Sequence, residues 1–549
     1  MRLPAAVLAA RGLADPEAAS KFLAPDLAGV PDPFLLAGMV AAVERLRRAL
    51  AAKEPTVVYA DYDVDGCTSA ALLVGVLKEL GLPVRAYVPH RLVEGYGLNP
   101  GALTALAAQG TRLVVTADCG VTNVAEVDHA TKLGLDVIVI DHHKTPAILP
   151  RAAAVVNPHQ PGCAYPDKGL AAVGVSFLLL AALRKKLAET GWTGARPNLK
   201  KELDLVALGT IADCAPLSGV NRVLVHHGLA VLSERRRAGV RALCSVAGLQ
   251  GDVTAGQVGF KLGPRINAAG RLDDASIAVE LLTTTDPQRA ERLAQELDSA
   301  NAERQAIEAK MREEAFLLAA PEQERGAMGL VLASEGWHAG VVGIVAARVA
   351  ERFRRPAIVL ALEGATARGS ARSVEGFHLY DALKACSSHL TRYGGHRQAA
   401  GLALHASDLG SFRQAFEDHA HKAVDRALLE PRCRVDASAA ESELTLDVAT
   451  ELSRLAPFGL GNPEPVFVTR GLVARERRVL PQKAAGSTEP GHLKVRLASG
   501  ISGIGFAMAD REASLAGPFD AAFSLELNEW QGNKRVELRL RDVAVTASA

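Results

Sequence analysis

The chain has 549 residues, of which 49% are hydrophobic and 22% charged, with Lys plus Arg (62) and Asp plus Glu (61) in near balance. That length exceeds one core and implies about three or four domains, the composition excludes wholesale disorder, and the balanced charge means that any polyanion-binding surface must be local. The longest uncharged apolar stretch, Gly169 to Leu183, is shorter than the roughly 18 residues a membrane span needs, so no membrane segment is expected.

Taken in chain order, residues 1 to about 50 have a helical pattern, in which Pro31-Asp32-Pro33 divides a short first helix from a second, Leu35 to Leu50. Leu3 to Ala10 imitates a short signal-peptide core, but Arg11 follows at once and helical patterning continues, so the segment is expected to be mature structure. From Thr56 the period changes. Short β-rich runs at Thr56–Ala60, Val84–Val88, Leu113–Ala117, Val137–Ile140 and Ala154–Val156 alternate with helix-length segments, which predicts an open parallel sheet. Leu72, Leu73, Val76, Leu77 and Leu80 form the apolar face of the helix after the first strand, and Gly81 stops it.

Asp286 to Ala320 reads as one long connector helix with an apolar stripe through Leu293, Leu297, Ala300, Ile307 and Met311. A second α/β unit follows, with a strand at Met328–Ala333, a helix at Val341–Phe353, a strand at Ala357–Leu362, and polar landmarks around Trp337-His338, Ser370-Ala371-Arg372 and His396-Arg397. After about Pro431 the pattern is β. Strand-like runs at Phe467–Val473, His492–Leu497, Ser502–Phe506, Ala522–Leu527 and Arg535–Val545, the last two flanking a turn at Trp530-Gln531-Gly532-Asn533, suit an OB-type barrel. The expected division is therefore 1–50 helical, 51–285 parallel-sheet domain, 286–320 connector, 321–431 second α/β domain, and 432–549 barrel.

The chemistry concentrates at YADYDVDGCT, Tyr59 to Thr68, where Asp61, Asp63 and Asp65 crowd a strand end closed by Gly66. Ionised carboxylates this close repel unless a cation or strong donors share the site, and a hard divalent metal suits them best. An EF-hand loop would place its bidentate glutamate at residue 72, which is Leu72, and would be flanked by helix rather than strand. Further acid and imidazole follow later strands: Asp118 after LVVTA, and Asp141-His142-His143 after VIVI; Asp213 closes the segment from Asp204. Parallel sheets bind ligands outside the carboxyl ends of their strands, so these segments converge on one edge. The seven cysteines are odd in number and contain no C-x-x-C pair, so neither a zinc knuckle nor a disulfide framework is indicated and a reducing, cytoplasmic setting is expected. Cys67, Cys119 and Cys214, near the acidic motifs, are expected to be buried filler.

DYDVDG (61–66), Asp118 in TADCG, Asp141-His142-His143 and Asp213 in GTIADCAPL, in this order, resemble the four motifs of the DHH phosphoesterase superfamily. The segments Glu94–Leu98, Arg265–Arg271, Gly394–Gly401 and Gly459–Pro465 are similar to those of its RecJ family of 5′-to-3′ single-strand-specific exonucleases. The resemblance implies a DHH domain, a DHH-associated domain and an OB domain, with two Mn²⁺ or Mg²⁺ ions held by Asp63, Asp65, Asp118, His142 and Asp213. It also implies that Asp61 reaches a metal or braces the loop, Asp141 orients the neighbouring imidazole, and His143 binds the scissile phosphate. Ser370 and Arg372, on a loop of the second unit, are candidates with Arg265, Asn267 and Arg271 for holding the terminal phosphate and adjacent backbone. His396 and Arg397 are candidates for contacting substrate, and Trp530, with Phe467 and Phe506, for stacking bases. The implied activity is removal of 5′-mononucleotides from single-stranded DNA in repair and recombination, by a monomer working with a helicase and a single-strand-binding protein and without a membrane. Smaller DHH relatives act on oligoribonucleotides, cyclic dinucleotides or pyrophosphate, and chain length and the barrel count against those activities. An inactive DNA-binding scaffold is opposed by the intact ligand set.

Overall fold

The structure is a computed structural model that describes residues 3–91, 93–272, 274–481, 491–530 and 533–546. Its first sheet consists of β1 (Thr56–Ala60), β2 (Val84–Tyr87), β3 (Leu113–Ala117), β4 (Asp136–Ile140) and β5 (Ala154–Val156) in the order β2-β1-β3-β4-β5, parallel throughout. Strands buried on both faces read as continuous apolar runs, and here the two faces feed two cores. Val58, Ala60, Val115, Ala117, Ile138 and Ile140 join one, whereas Val57, Tyr59, Val114, Val137 and Val139 join the other. Registry aligns Ala60 with Ala117 and Ala117 with Ile140, so the strands end level and the residues that follow emerge side by side.

The connector helix runs from Pro287 to Glu324, capped by Asp286, whose side chain accepts from the amide of Gln288. Beyond it, β6 (Leu330–Glu335), β7 (Ala357–Glu363), β8 (Thr366–Arg372), β9 (Arg392–Gly395) and β10 (Ala399–His405) form a second sheet in the order β6-β7-β8-β10-β9. Ser370 and Arg372, expected on a loop, therefore lie in strand β8, and Gly394-Gly395 belongs to β9. The Gly, Ser and Arg content of β8 lacks strand propensity, but two antiparallel neighbours pair it along its length.

The third sheet has seven strands: β11 (Ala437–Ser438), β12 (Phe467–Leu472), β13 (Ala474–Leu480), β14 (His492–Leu497), β15 (Ser502–Gly505), β16 (Phe519–Trp530) and β17 (Asn533–Val545). Their order is β11-β12-β16-β17-β15-β14-β13. Two of these were not expected. β11 is only two residues long, and β13, sequence ARERRVL, is an exposed edge whose charges hide its period. The turn residues Gln531 and Gly532, and the side chain of Trp530, lie outside the described residues. Phe467 is a core residue at 0% exposure, which removes it as a base-stacking candidate, whereas Phe506 is 53% exposed.

The expected 1–50 helical segment is not one packing unit. Helices Leu3–Ala10 and Pro16–Leu23 join the core of the third sheet, and helix Met39–Ala52 packs on the first. That last helix starts later than expected because Pro33 to Leu35 forms a separate short turn capped by Asp32. Cys67 and Cys119 are buried filler, as their sequence context suggests, but Cys214 is exposed. Among the described residues no single helix is long and apolar enough to cross a membrane.

Candidate active site

The level strand ends supply the acids. After β1 the chain turns so that Asp63 caps helix Val64–Glu79, its Oδ1 accepting from the amide of Gly66 at 3.0 Å. Gly66 is required by close approach, since a Cβ there would lie 2.3 Å from the carbonyl oxygen of Asp61. Asp65 is fully buried in the first turn, where its two oxygens accept from the amides of Ala172 (2.7 Å) and Val173 (2.9 Å) at the start of helix Ala172–Glu189. Asp118 follows β3 with φ +64°, a left-handed conformation that Asp tolerates better than most residues. Asp213 is the C-cap of helix Leu203–Ala212.

Asp141, after β4, is saturated with donors. Its Oδ1 accepts from the amides of His142 (2.8 Å) and His143 (3.0 Å) and lies 2.7 Å from His143 Nδ1, while Oδ2 accepts from the amide of Val121. His142 turns the other way, its Nε2 lying 3.1 Å from Asp118 Oδ1, 3.8 Å from Asp213 Oδ2 and 3.9 Å from Asp65 Oδ2. The two imidazoles thus share Asp118, 3.1 Å from His142 Nε2 and 3.8 Å from His143 Nδ1, but only His143 is held by Asp141. Burial, then the neighbouring His143, lowers the pKa of His142 to about 4, which keeps it neutral and able to donate a lone pair. Burial also opposes charge on His143, but the hydrogen bond to Asp141 and the nearby carboxylates outweigh it and raise its pKa to about 9.

Ligand atoms of Asp65, His142 and Asp213 lie within 4.8 Å of one another, as do those of Asp61, Asp63 and Asp118, and of Asp118, His142 and His143. Asp61 Oδ1, Asp118 Oδ1 and His142 Nε2 are buried without a hydrogen-bond partner among the described residues. Burial, followed by mutual repulsion, pushes the pKa values of Asp61, Asp65, Asp118 and Asp213 upward. Lone pairs that converge in a largely buried site and are left over after these hydrogen bonds fit divalent cations, and oxygen-rich surroundings with a neutral imidazole fit Mn²⁺ or Mg²⁺.

A cationic cluster lies beside the acids. Ser370 and Arg372 share one face of β8, and Arg372 Nη1 donates to Ser370 Oγ at 3.0 Å. Gly343, in the first turn of helix Val342–Phe353, packs against both, as its Cβ position would lie 3.2 Å from Ser370 Oγ and 3.4 Å from Arg372 Nη2. Arg271 donates to the carbonyl of Gly340 at 3.1 Å. Burial, then the charges of Arg91, Arg304 and Arg372, lowers its pKa to about 10. His396 is exposed on the turn after β9, where burial and then the charges of His143 and Lys144 lower its pKa. Arg397 is exposed on the adjoining turn, where its carbonyl accepts from Leu379.

Two candidates are engaged elsewhere. Arg265 pairs with Asp298 of the connector helix at 2.8 Å, and Asn267 accepts from the amide of Val64, which braces the aspartate loop. Arg91 was missed. Its guanidinium stands 5.0 Å over the Tyr62 ring and its charge reaches both Arg271 and Arg372. It follows β2 at the same edge as the acids, so the rule that found Asp118 also locates it. Tyr96, seen only as part of a motif, brings its hydroxyl within 3.3 Å of His143 Nδ1.

Known proteins resemble this chain in sequence and in fold. Residues 55–210 match the DHH family N-terminal domain, residues 326–422 the DHHA1 domain and residues 435–542 the RecJ OB domain. The chain is 42% identical over 534 residues to the single-stranded-DNA-specific exonuclease RecJ of Dickeya dadantii, covering 93% of this chain and 91% of that protein. It is 37% identical to the Bacillus subtilis protein of the same name, covering 99% of this chain and 68% of that one. The crystal structure of RecJ from Thermus thermophilus in complex with Mn²⁺ superposes with a TM-score of 0.83 at 34% identity, over 99% of this chain and 76% of that one. The Mg²⁺ complex of the same protein superposes with a TM-score of 0.78 at 32% identity, over 99% and 75%. With an acid-lined sheet edge, three matched domains and likeness along nearly its full length, this chain belongs to the RecJ family of single-stranded-DNA-specific exonucleases.

Proposed function

We propose that the chain removes 5′-mononucleotides from the 5′ end of single-stranded DNA. The observation that carries this reading is the adjacency of the acidic cluster to the cluster of Arg91, Arg271 and Arg372 with Ser370. In it, Asp63, Asp65, Asp118, His142 and Asp213, with Asp61 on the flank, would hold two divalent ions, which when bound activate water and stabilise the departing 3′-oxygen. The chain's own residues do the rest. Arg372 and Ser370 grip a terminal 5′-phosphate through charged and hydroxyl donors, while Arg271 and Arg91 add charge that a 5′-hydroxyl cannot repay. Asp141 fixes the orientation of His143 through the 2.7 Å contact with Nδ1, and the imidazole so held binds the scissile phosphate.

Exposed Phe506, 5.2 Å from His492 and with Arg539 at 5.8 Å over its ring, supports single-strand binding by the barrel. Action on single strands calls for a helicase and a single-strand-binding protein upstream. The unpaired cysteines favour a reducing cytoplasm, where we infer that the protein works as a monomer.

The test is a time course with Mn²⁺ on single strands labelled at one end or the other. Mononucleotide from the 5′ label should be the first product; first release from the 3′ label would overturn the polarity, and binding without release would favour a scaffold.

A further inference from the structure

Two helices start at the acidic cluster and end on the opposite side of the first α/β unit. Helix Val64–Glu79 begins at Asp63 and helix Ala172–Glu189 begins where its amides hold Asp65, so their far ends stand roughly 25 Å from the acids. At those ends lies a hollow of about 370 Å³, lined by Leu80, Leu187, Trp192 and Pro197. The backbone places the indole. Gly191, with φ +76°, turns the chain off the second helix, the Trp192 amide donates to the carbonyl of Leu187 at 3.0 Å, and Trp192 Nε1 donates to the carbonyl of Ala195 at 3.0 Å. Gly194 lies against the ring, since a Cβ there would come within 2.5 Å of it. A helix end of this kind needs an apolar residue after its glycine to cover the last turn, and a smaller side chain than tryptophan would serve. The rim of the hollow is cationic. Arg184, Lys185 and Arg196 line it, and no carboxylate does. Arg184 reaches only the carbonyl of Pro197 at 3.3 Å, Arg196 is exposed without a partner among the described residues, and Lys185 pairs with Asp32 at 3.2 Å where both are about half exposed. Lys200 and Lys201, exposed a few residues further along the chain, extend the charge.

We propose that this hollow docks an acidic segment of a partner protein, which buries one leucine or phenylalanine against Leu187 and Trp192 and sets carboxylates on Arg184 and Arg196. Charge complementarity gives the sign of the partner, and the lining gives its class. The two loop carbonyls at the hollow are already engaged by Trp192 and Arg184, and the rest of the floor is aliphatic. The polar edge of a nucleobase would go largely unpaired there, whereas an apolar side chain needs no partner. A partner held at the far ends of both helices leaves the acidic cluster open to substrate.

The experiment selects from a displayed library of random short peptides on the full chain, with Ala188→Trp as the counter-selection, because Ala188 is an exposed helix residue that lines the hollow and the added indole would fill it. Selected peptides should carry a leucine or phenylalanine among aspartates and glutamates. Labelled and measured by anisotropy, such a peptide should lose roughly 10- to 150-fold in affinity when its apolar residue becomes serine, the worth of burying one such side chain. Ala188→Trp should cost as much, and Arg184→Glu combined with Arg196→Glu should cost at least about 10-fold, with the parent's binding weakening as salt rises. Both variants should keep the parent's melting temperature and its affinity for single-stranded DNA. Peptides that bind Ala188→Trp as well as the parent, or that lack acidic residues, overturn the proposal, and so does a library that yields no binder. A loss of single-stranded-DNA affinity in the charge-reversed variant would assign the rim to nucleic acid and overturn it too.

Discussion

Asp118 combines features that folding alone would not select: a left-handed backbone, 2% exposure, an oxygen without a donor, and burial among Asp61, Asp63, Asp65 and Asp213. Strain and repulsion of this kind persist where function requires them. Asp118→Asn keeps the shape and the tolerated backbone but removes one charge. We expect the metal-free variant to be more stable than the parent by about 1 kcal/mol, within the usual range for a relieved site. We expect its nuclease activity to fall at least about 100-fold. Thermal melts with EDTA and with Mn²⁺ check both halves: Mn²⁺ should raise the parent's Tm more than the variant's, and a variant that melts lower without metal would refute the repulsion. At the neighbouring cluster, Arg372→Ala should cut the rate on 5′-phosphorylated strands roughly 10- to 100-fold, the worth of charge-assisted hydrogen bonds, and leave 5′-hydroxyl strands nearly unaffected. A preference that persists would move recognition of the end to Arg91 and Arg271.

At the scale of elements, the site exists because three strands end in register and the chain turns sharply after the first. Gly66 is the tightest point of that turn, and Gly66→Ala must displace the carbonyl of Asp61. We expect a loss of about 1–3 kcal/mol from overpacking, read from urea midpoints, together with lost Mn²⁺ affinity as Asp61 and Asp63 shift. A variant with the parent's midpoint would show that the turn gives way cheaply. The same element was the most legible part of the sequence. TVVYA and LVVTA have no plausible use except as strands buried on both faces, so their bounds and the acids that follow them could be read directly. β8 and β13 could not, since GSAR and ARERR gain strand structure only from their neighbours. Arg265 and Asn267 share a motif with Arg271, but spacing alone does not reveal that the connector helix claims one and the aspartate loop the other.

Across the whole molecule, the catalytic unit and the barrel are joined by a buried cation. Arg222, on helix Gly219–Ser233, is 3% exposed and donates to the carbonyls of Leu455 (2.9 Å), Ala456 (2.8 Å) and Phe22 (3.0 Å), with its guanidinium 3.7 Å over the Phe22 ring. Nearby, the amide of Leu217 donates to the carbonyl of Leu460, so the segment that follows Asp213 is clamped by a loop of the barrel unit. No pattern in the sequence announces this joint, because its partners are backbone carbonyls far along the chain. It also makes deletion of 432–549 a poor test of the barrel, since the cut would uncover Leu3, Val7 and Phe22, which pack in the barrel's core. Arg222→Ala is the cleaner experiment. It takes a donor from three carbonyls, of which that of Leu455 keeps the side-chain amide of Asn462 at 2.8 Å and the other two are only part-buried, so a net loss of about 1–3 kcal/mol confined to the joint is expected. Limited proteolysis should then release the barrel unit earlier than in the parent. Affinity for long single strands should fall, while release of a nucleotide from a strand of about five residues, too short to depend on the barrel, should stay within a few-fold of the parent. Equal losses on short and long strands would mean that Arg222 supports the catalytic centre directly, through the clamp on the segment after Asp213, rather than by holding the barrel in place.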